Sequence, residues 1–227
     1  MKYQTINGVI NKPILDGFIF DDIIPSSDCK VLKKRKKNAC NSVEEVIYSS
    51  RKYIHETKEI AEKLEGNSIQ DTCRIIQDFL SAHIRYSFND NNKIKSPSCV
   101  WSSKTADCKS FTVFASTILY NLGINHFLKT VSSKGGAESH IYVIVPVNQD
   151  IKKLPLNAQF NKDYFVVDGT LTTGKYYEPE YEKKLLEINM APETKDKKFL
   201  CLSANKMVSK IVLLGIIGAL FFSANNK

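Results

Sequence analysis

Apolar residues recur at helical spacing in three stretches of the chain. The first stretch runs from a Ser-Val-Glu-Glu capping box at residues 42–45 to Gly66, and the second begins at Ser68. The third begins after Asp107 and ends at Gly123, and the residues between them form almost no polar face. A helix without a polar face lies inside a domain, so we expect the third helix to be central.

Segments typical of β-strands follow these helices. Residues 126–131, 139–147 and 164–167 are rich in Val, Ile, Phe and Tyr, and Gly135-Gly136 interrupts the first gap. Helices that precede strands along the chain indicate an α+β domain. We therefore predict that the central helix packs against an antiparallel β-sheet.

The two ends of the chain differ from this core. Residues 1–40 are expected to form an irregular arm, which contains a basic run at 30–37. Residues 176–206 are charged and predict a linker, whereas residues 207–224 form an apolar C-terminal segment. Its wholly apolar part is 211–222. A helix counted from there on to residue 224 is about 21 Å long, shorter than the roughly 30 Å hydrocarbon layer. The sequence leaves open whether this segment anchors the protein to a membrane or packs in the core.

Composition and net charge limit the classes of protein to which this chain can belong. The 227 residues are 43% hydrophobic and carry a net charge of +8, as expected for a globular domain with extensions. The six cysteines show no CxxC pair, so we expect no zinc site. We also expect no cofactor. No apolar run follows Lys2, which favours a cytoplasmic protein in which each cysteine is a free thiol. No aromatic residues interrupt the basic run, so nucleic acid is not an expected partner.

Three residues stand out as candidates for catalysis. Cys108 follows Asp107 in the first turn of the central helix, where unpaired amides and the helix dipole favour a thiolate. His140 introduces an imidazole into an otherwise apolar strand and can deprotonate a thiol that faces it. Asp168 ends the last predicted strand, where a carboxylate can orient the imidazole and stabilise its charged form.

The segment 69–172 resembles the transglutaminase-like cysteine-enzyme superfamily, whose members share a papain-like core. The motifs that carry the resemblance are Ile84-Arg85-Tyr86, Asp107-Cys108-Lys109-Ser110-Phe111, Leu122-Gly123-Ile124, His140-Ile141-Tyr142-Val143 and Val167-Asp168-Gly169-Thr170. The resemblance implies a catalytic domain over residues 41–175, with a helical lobe that carries the cysteine and an antiparallel sheet that carries the histidine and aspartate.

The resemblance also implies a role for each residue. Cys108 is the nucleophile, His140 the general base and acid, and Asp168 the orienting acid of an enzyme that acts on amide or peptide bonds through an acyl-enzyme. The amide of Cys108 at the helix start is the expected oxyanion donor. Trp101 and Asp107 are candidates for substrate or oxyanion binding, although core packing is an equal alternative for the tryptophan.

Two positions depart from the superfamily pattern. Ala106 stands where Gly often precedes the Asp-Cys pair, and Gly169 stands where Pro often follows the aspartate. Neither change removes a catalytic atom. The change at Ala106 bears on how closely a substrate approaches the thiol.

Several functional alternatives remain open. We expect a protein or peptide substrate and favour hydrolysis over crosslinking, because small microbial members of the superfamily are more often associated with hydrolysis. A cell-wall peptidase of the NlpC/P60 type is a second possibility, which Lys109-Ser110 and the distant Asp168 fit less well. A third is a non-catalytic module attached to a membrane surface by the C-terminal segment. The Lys, Asn and Ile usage favours a bacterial or phage origin, and for a phage protein we expect association with the virion.

Overall fold

The computed structural model describes most of the chain, and all of the described residues lie in one compact unit. They are residues 5–6, 9–10, 18–26, 29, 39–88, 94–132, 140–178 and 183–190. The basic run and the apolar C-terminal segment, with the predictions made for them, lie outside the described residues. Within the described ranges no helix has the length and apolar character needed to cross a membrane.

The N-terminal part contains short strands and the first helices. Its elements are β1 (Thr5–Ile6), β2 (Val9–Ile10), α1 (Phe18–Asp21), α2 (Ala39–Lys52), a 3₁₀ turn (Ile54–Thr57) and α3 (Lys58–Leu64). Because α2 already begins at Ala39, Ser42 lies within its first turn. The prediction that Ser42 caps this helix is therefore wrong.

The middle of the chain alternates helices with short strands. Its elements are α4 (Ile69–His83), β3 (Arg85–Tyr86), α5 (Pro97–Ser103) and β4 (Thr105–Ala106), and β3 pairs with β4 in parallel. The prediction that the second helix begins at Ser68 is confirmed to within one residue, and the Ser68 hydroxyl caps α4 by accepting a hydrogen bond from the Asp71 amide at 3.1 Å. Helix α5 was not predicted, and it begins with a Ser96 cap followed by Pro97.

Helix α6 (Cys108–Asn121) is the central element. It packs against α2, α3, α4, α5 and the strand that begins at His140. Its residues from Ser110 to Leu119 are all buried, and Gly123 follows the helix with a left-handed φ of 67°. The prediction of a buried central helix that starts after Asp107 and is stopped by Gly123 is confirmed.

A four-stranded antiparallel sheet completes the α+β fold. Its strands are β5 (Phe127–Ser132), β6 (His140–Pro146), β7 (Tyr164–Val167) and β8 (Lys183–Asn189), in the spatial order β7-β6-β5-β8. The first three strands agree with the predicted ones to within one residue at each end. Strand β8 lies in the segment 176–206, so the expectation that this whole segment is a linker is wrong.

A disulfide joins the N-terminal arm to the helical part of the fold. Cys29 is bonded to Cys99 of α5, so the expectation that each cysteine is a free thiol is wrong for these two residues. Among the described residues, Cys73 is a buried free thiol and Cys108 a partly exposed one. The spacing of cysteines along the sequence held no sign of this pair, because the contact depends on how the arm packs.

Candidate active site

Cys108 is the first residue of α6, and Asp107 fixes the start of that helix. One carboxylate oxygen of Asp107 accepts hydrogen bonds from the amide of Ser110 at 2.9 Å and from its hydroxyl at 2.7 Å. The other oxygen lies 3.2 Å from the ammonium group of Lys109. The structure thus gives Asp107 a capping role, and its role in substrate binding stays a prediction.

His140 and Asp168 meet at one end of the sheet. His140 begins β6 and Asp168 directly follows β7, and the pairing of Val143 with Val167 brings both side chains to the same face. Nε2 of His140 lies 2.6 Å from Oδ2 of Asp168. The two residues are 9% and 2% exposed, so this contact is shielded from solvent.

The thiol of Cys108 completes a chain of contacts with this pair. Burial alone lowers the pKa of His140, but its hydrogen bonds to Asp168 and Cys108 and the charges of both residues raise it to about 9. Because Nε2 of the ring faces the carboxylate, Nδ1 is the nitrogen available to the thiol. The structure therefore brings together all three residues that the sequence singled out for chemistry.

The carboxylate of Asp168 is held by residues that sequence reasoning missed. Its Oδ1 accepts hydrogen bonds from the Thr170 amide at 3.0 Å and from the Thr170 hydroxyl at 2.7 Å. Its own backbone amide donates to the side chain of Gln77, which is fully buried on α4. A buried glutamine on the apolar face of a predicted helix was the available signal, because such a group needs partners.

Glycine at position 169, one of the two departures from the superfamily pattern, is explained by the packing around it. A Cβ atom on this residue would lie 2.4 Å from the ring of Phe111, which is one turn along α6 from Cys108. Only a residue without a side chain lets the ring approach the end of β7 so closely. The hydroxyl of Thr112, 3.0 Å from the carbonyl of Ile141, further ties α6 to the strand that carries His140.

Trp101 lies in an aromatic cluster. Its ring stacks on Phe79 at 5.4 Å between centroids and meets Phe20 and His83 edge-on. Its indole N–H donates to Asp21 at 2.7 Å. These contacts are the packing role that the sequence left open as the alternative, and a role for Trp101 in substrate binding stays a prediction.

Tyr86 is a further residue near the thiol. It pairs with Ala106 across the β3–β4 ladder, two residues before Cys108, and it is 48% exposed. Burial of part of the side chain and the negative charges of Cys108 and Asp107 raise the pKa of its hydroxyl. A half-exposed aromatic side chain thus lies near the thiol of Cys108.

Comparison with known proteins places the chain in a family. A profile for the transglutaminase-like domain matches residues 55–191, which is more than half of the chain. No curated protein matches the chain significantly.

Three solved structures are similar in part. A candidate protease from Parabacteroides distasonis ATCC 8503 has a TM-score of 0.39 and 16% identity, with 60% of this chain and 30% of that chain covered. A structure named as a TGase has a TM-score of 0.37 and 18% identity, with 66% of this chain and 38% of that chain covered. A candidate cysteine protease from Cytophaga hutchinsonii has a TM-score of 0.31 and 14% identity, with 76% of this chain and 47% of that chain covered. The chain therefore spans less than half the length of each of these proteins.

Proposed function

We propose that this chain, which belongs to the transglutaminase-like domain family, is a thiol enzyme that hydrolyses amide or peptide bonds through an acyl-enzyme. One observation carries the proposal, namely the continuous chain of contacts from Cys108 through His140 to Asp168 at the start of a buried helix. The family gives the coarse assignment to a cysteine-enzyme fold. The contacts support the finer assignment of nucleophile, base and orienting acid.

The charge distribution suits attack by a thiolate. With its pKa raised to about 9, His140 stays protonated at neutral pH beside Cys108. The sulfur attacks the carbonyl carbon, a C–S bond forms, and the carbonyl electron pair moves to the oxygen. The tetrahedral intermediate then collapses, the C–N bond breaks, and His140 gives its proton to the leaving amine.

Hydrolysis of the thioester reverses these roles. His140, now neutral, takes a proton from water as the water oxygen attacks the thioester carbon, and the C–S bond breaks. Asp168 keeps the ring in the orientation that both steps require. The amide of Cys108 lies at the helix start, where amides have no acceptor within the helix, and is the proposed donor to the oxyanion.

Access of water favours hydrolysis over transfer to an amine. Cys108 is partly exposed, and the neighbouring Tyr86 is 48% exposed. An amine competes with water for a thioester only where the site keeps water out. We therefore take water as the proposed acceptor, with an amine as the alternative outcome of the test.

Labelling of the thiols tests the proposal without a known substrate. The full chain is treated with iodoacetamide at a series of pH values, and each cysteine is quantified by peptide mass spectrometry. Cys108 should react fastest near neutral pH, where a simple thiol is mostly protonated and slow. Buried Cys73, whose pKa burial raises, serves as the internal control and should stay unlabelled in the folded protein.

Substrate assays then separate the two acceptors. Peptides with carboxamide side chains are incubated with and without a primary amine, and the products are identified by mass. Release of free acid supports hydrolysis, whereas an amine adduct supports crosslinking. If Cys108 reacts no faster than a free cysteine model compound at any pH, the enzyme assignment itself is wrong.

A further inference from the structure

Gln77 is a fully buried amide on α4, and both ends of its side chain are in use. Its oxygen accepts a hydrogen bond from the backbone amide of Asp168 at 3.2 Å. Its nitrogen donates to the backbone carbonyl of Lys175 at 2.7 Å. Because a carbonyl only accepts and an amide N–H only donates, these partners fix which way the Gln77 amide faces.

The hydrogen bond between Gln77 and the Asp168 amide lies just beyond the end of the β6–β7 ladder. Val167 is the last residue of β7 that pairs with β6, so the Asp168 amide follows the end of that ladder. Thr170 holds one oxygen of the Asp168 carboxylate, but it belongs to the same turn and moves with it. Gln77 anchors this turn from a separate and long helix.

The geometry points to Gln77 as a positioning residue for the proposed reaction: it holds Asp168 at the distance from which the carboxylate orients His140. This inference rests on the proposed function. The groups that face the His140 ring are Cys108 from α6, Asp168 from the end of β7, and Tyr142 of β6 itself, whose ring centroid lies 5.5 Å away. A shift of the Asp168 backbone therefore changes the strongest contact of the imidazole.

The next residue of α4 provides a matched control. Asp78 is 2% exposed, and it accepts hydrogen bonds from the amide of Gly174 at 2.8 Å and from the hydroxyl of Tyr176. Gln77 and Asp78 thus both anchor the segment 174–176, whereas Gln77 is the one of the two that also bonds to Asp168. A variant at Asp78 loosens the same segment without removing that bond.

The experiment compares Gln77→Met and Asp78→Asn with the wild-type chain. Methionine keeps the volume of the side chain but leaves the Asp168 amide without its acceptor. The rate of Cys108 alkylation is measured from about pH 5 to pH 10, and thermal unfolding is followed in parallel. For Gln77→Met we expect the midpoint of the alkylation profile to rise by about one pH unit, so the rate at pH values well below the wild-type midpoint falls roughly tenfold. For Asp78→Asn we expect rates within about twofold of wild type despite a lower melting temperature.

The outcomes separate this inference from the proposed function. If both variants keep the wild-type profile, or if both shift it equally, Gln77 has only a structural role and the inference is wrong. If Gln77→Met does not fold, Gln77→Asn replaces it, because the shorter side chain withdraws the amide from Asp168 and stays polar. A wild-type Cys108 that shows no enhanced reactivity contradicts the proposed function instead.

Discussion

The two ends of the β5–β6 ladder each hold a buried histidine, and helix α6 presents a nucleophilic side chain to both. At one end His140 lies opposite Val131 and contacts Cys108. At the other end His126 directly precedes β5, and its Nε2 lies 2.8 Å from the hydroxyl of Ser116. Eight residues, or about 12 Å of helix, separate the two nucleophilic side chains.

The two imidazoles have opposite charge preferences. Burial lowers the pKa of His126 to about 4, and its hydrogen bond to the Ile124 carbonyl offsets this only in part. The pKa of His140 is raised to about 9, although burial acts on it in the same direction as on His126. The difference comes from the carboxylate of Asp168 and the charge of Cys108. The same kind of contact between an imidazole and a nucleophilic side chain therefore goes with a neutral ring at one end of the ladder and a charged ring at the other, and the carboxylate beside His140 makes the difference.

The largest expected effect separates the two nucleophilic side chains. Cys108→Ala should lower the rate of amide hydrolysis at least a thousandfold, because no other atom can form the acyl-enzyme. Ser116→Ala should leave that rate within about twofold of wild type and lower stability by roughly 1 to 3 kcal/mol, since Nε2 of His126 loses its partner. Steady-state rates and urea unfolding measure the two quantities. Equal loss of activity in both variants would show that the two sites are not functionally distinct.

Removal of the carboxylate charge should make the His140 end resemble the His126 end. Asp168→Asn keeps the shape of the side chain, yet we expect hydrolysis to fall by about 10³ to 10⁴ because the imidazolium loses its partner. The pKa of His140 should fall, so the alkylation profile of Cys108 should move to higher pH. An unchanged profile would show that Asp168 does not set the charge of the ring.

The stability of the protein should carry opposite pH signatures from the two histidines. The unfolded value for His is 6.5, and the folded pKa of His126 is about 4, so the unfolded state binds more protons between these values. Its contribution therefore lowers stability as the pH falls from about 6.5 to 4. For His140 the folded state binds the extra proton, so its stabilising contribution is present below about 6.5 and is lost as the pH rises through about 9.

Variants of the two histidines show which residue causes each limb of the curve of unfolding free energy against pH, the acid limb below about pH 6.5 and the alkaline limb above it. His126→Gln should flatten the acid limb and His140→Gln the alkaline limb, each by a few kcal/mol. Urea unfolding between about pH 4 and pH 10 measures the effect. A curve in which either variant flattens the opposite limb would contradict the assignment of the two rings.

The smallest expected effect comes from a second thiol. Ser116→Cys places a sulfhydryl group against His126, but the ring is neutral at pH 7 and Ser116 is fully buried. We expect alkylation at position 116 to stay near the level of buried Cys73, with hydrolysis unchanged. Rapid labelling of the new cysteine near neutral pH would show that proximity alone activates a thiol in this fold.

Short-range signals made much of this architecture predictable. Ser68, Asp107 and Gly123 act on amides and carbonyls within a few residues, so their types alone mark where α4 and α6 start and where α6 stops. The order of cysteine, histidine and aspartate along helix start, strand and strand end similarly anticipated their meeting. These features depend on local geometry and on the alternation of strand faces.

The features that were missed depend on distant partners. Gln77 and Asp168 are 91 residues apart, and Cys29 and Cys99 are 70 apart. A short window can mark Gln77 as a polar residue on an apolar face, but it cannot identify the partner of either residue. Three of the seven residues of strand β8 are charged, and its pairing with β5 rather than its own composition makes it a strand. Edge strands often carry such charges, which hides them among linkers.

The bond between Cys29 and Cys99 makes the intervening chain a closed loop that contains α2, α3 and α4. A single peptide-bond cut between these cysteines therefore opens the loop without releasing either piece. The nicked protein keeps its mass on a denaturing gel without reductant and separates into two fragments once reductant is added. A protease map of this chain thus reveals cuts in that loop only after reduction.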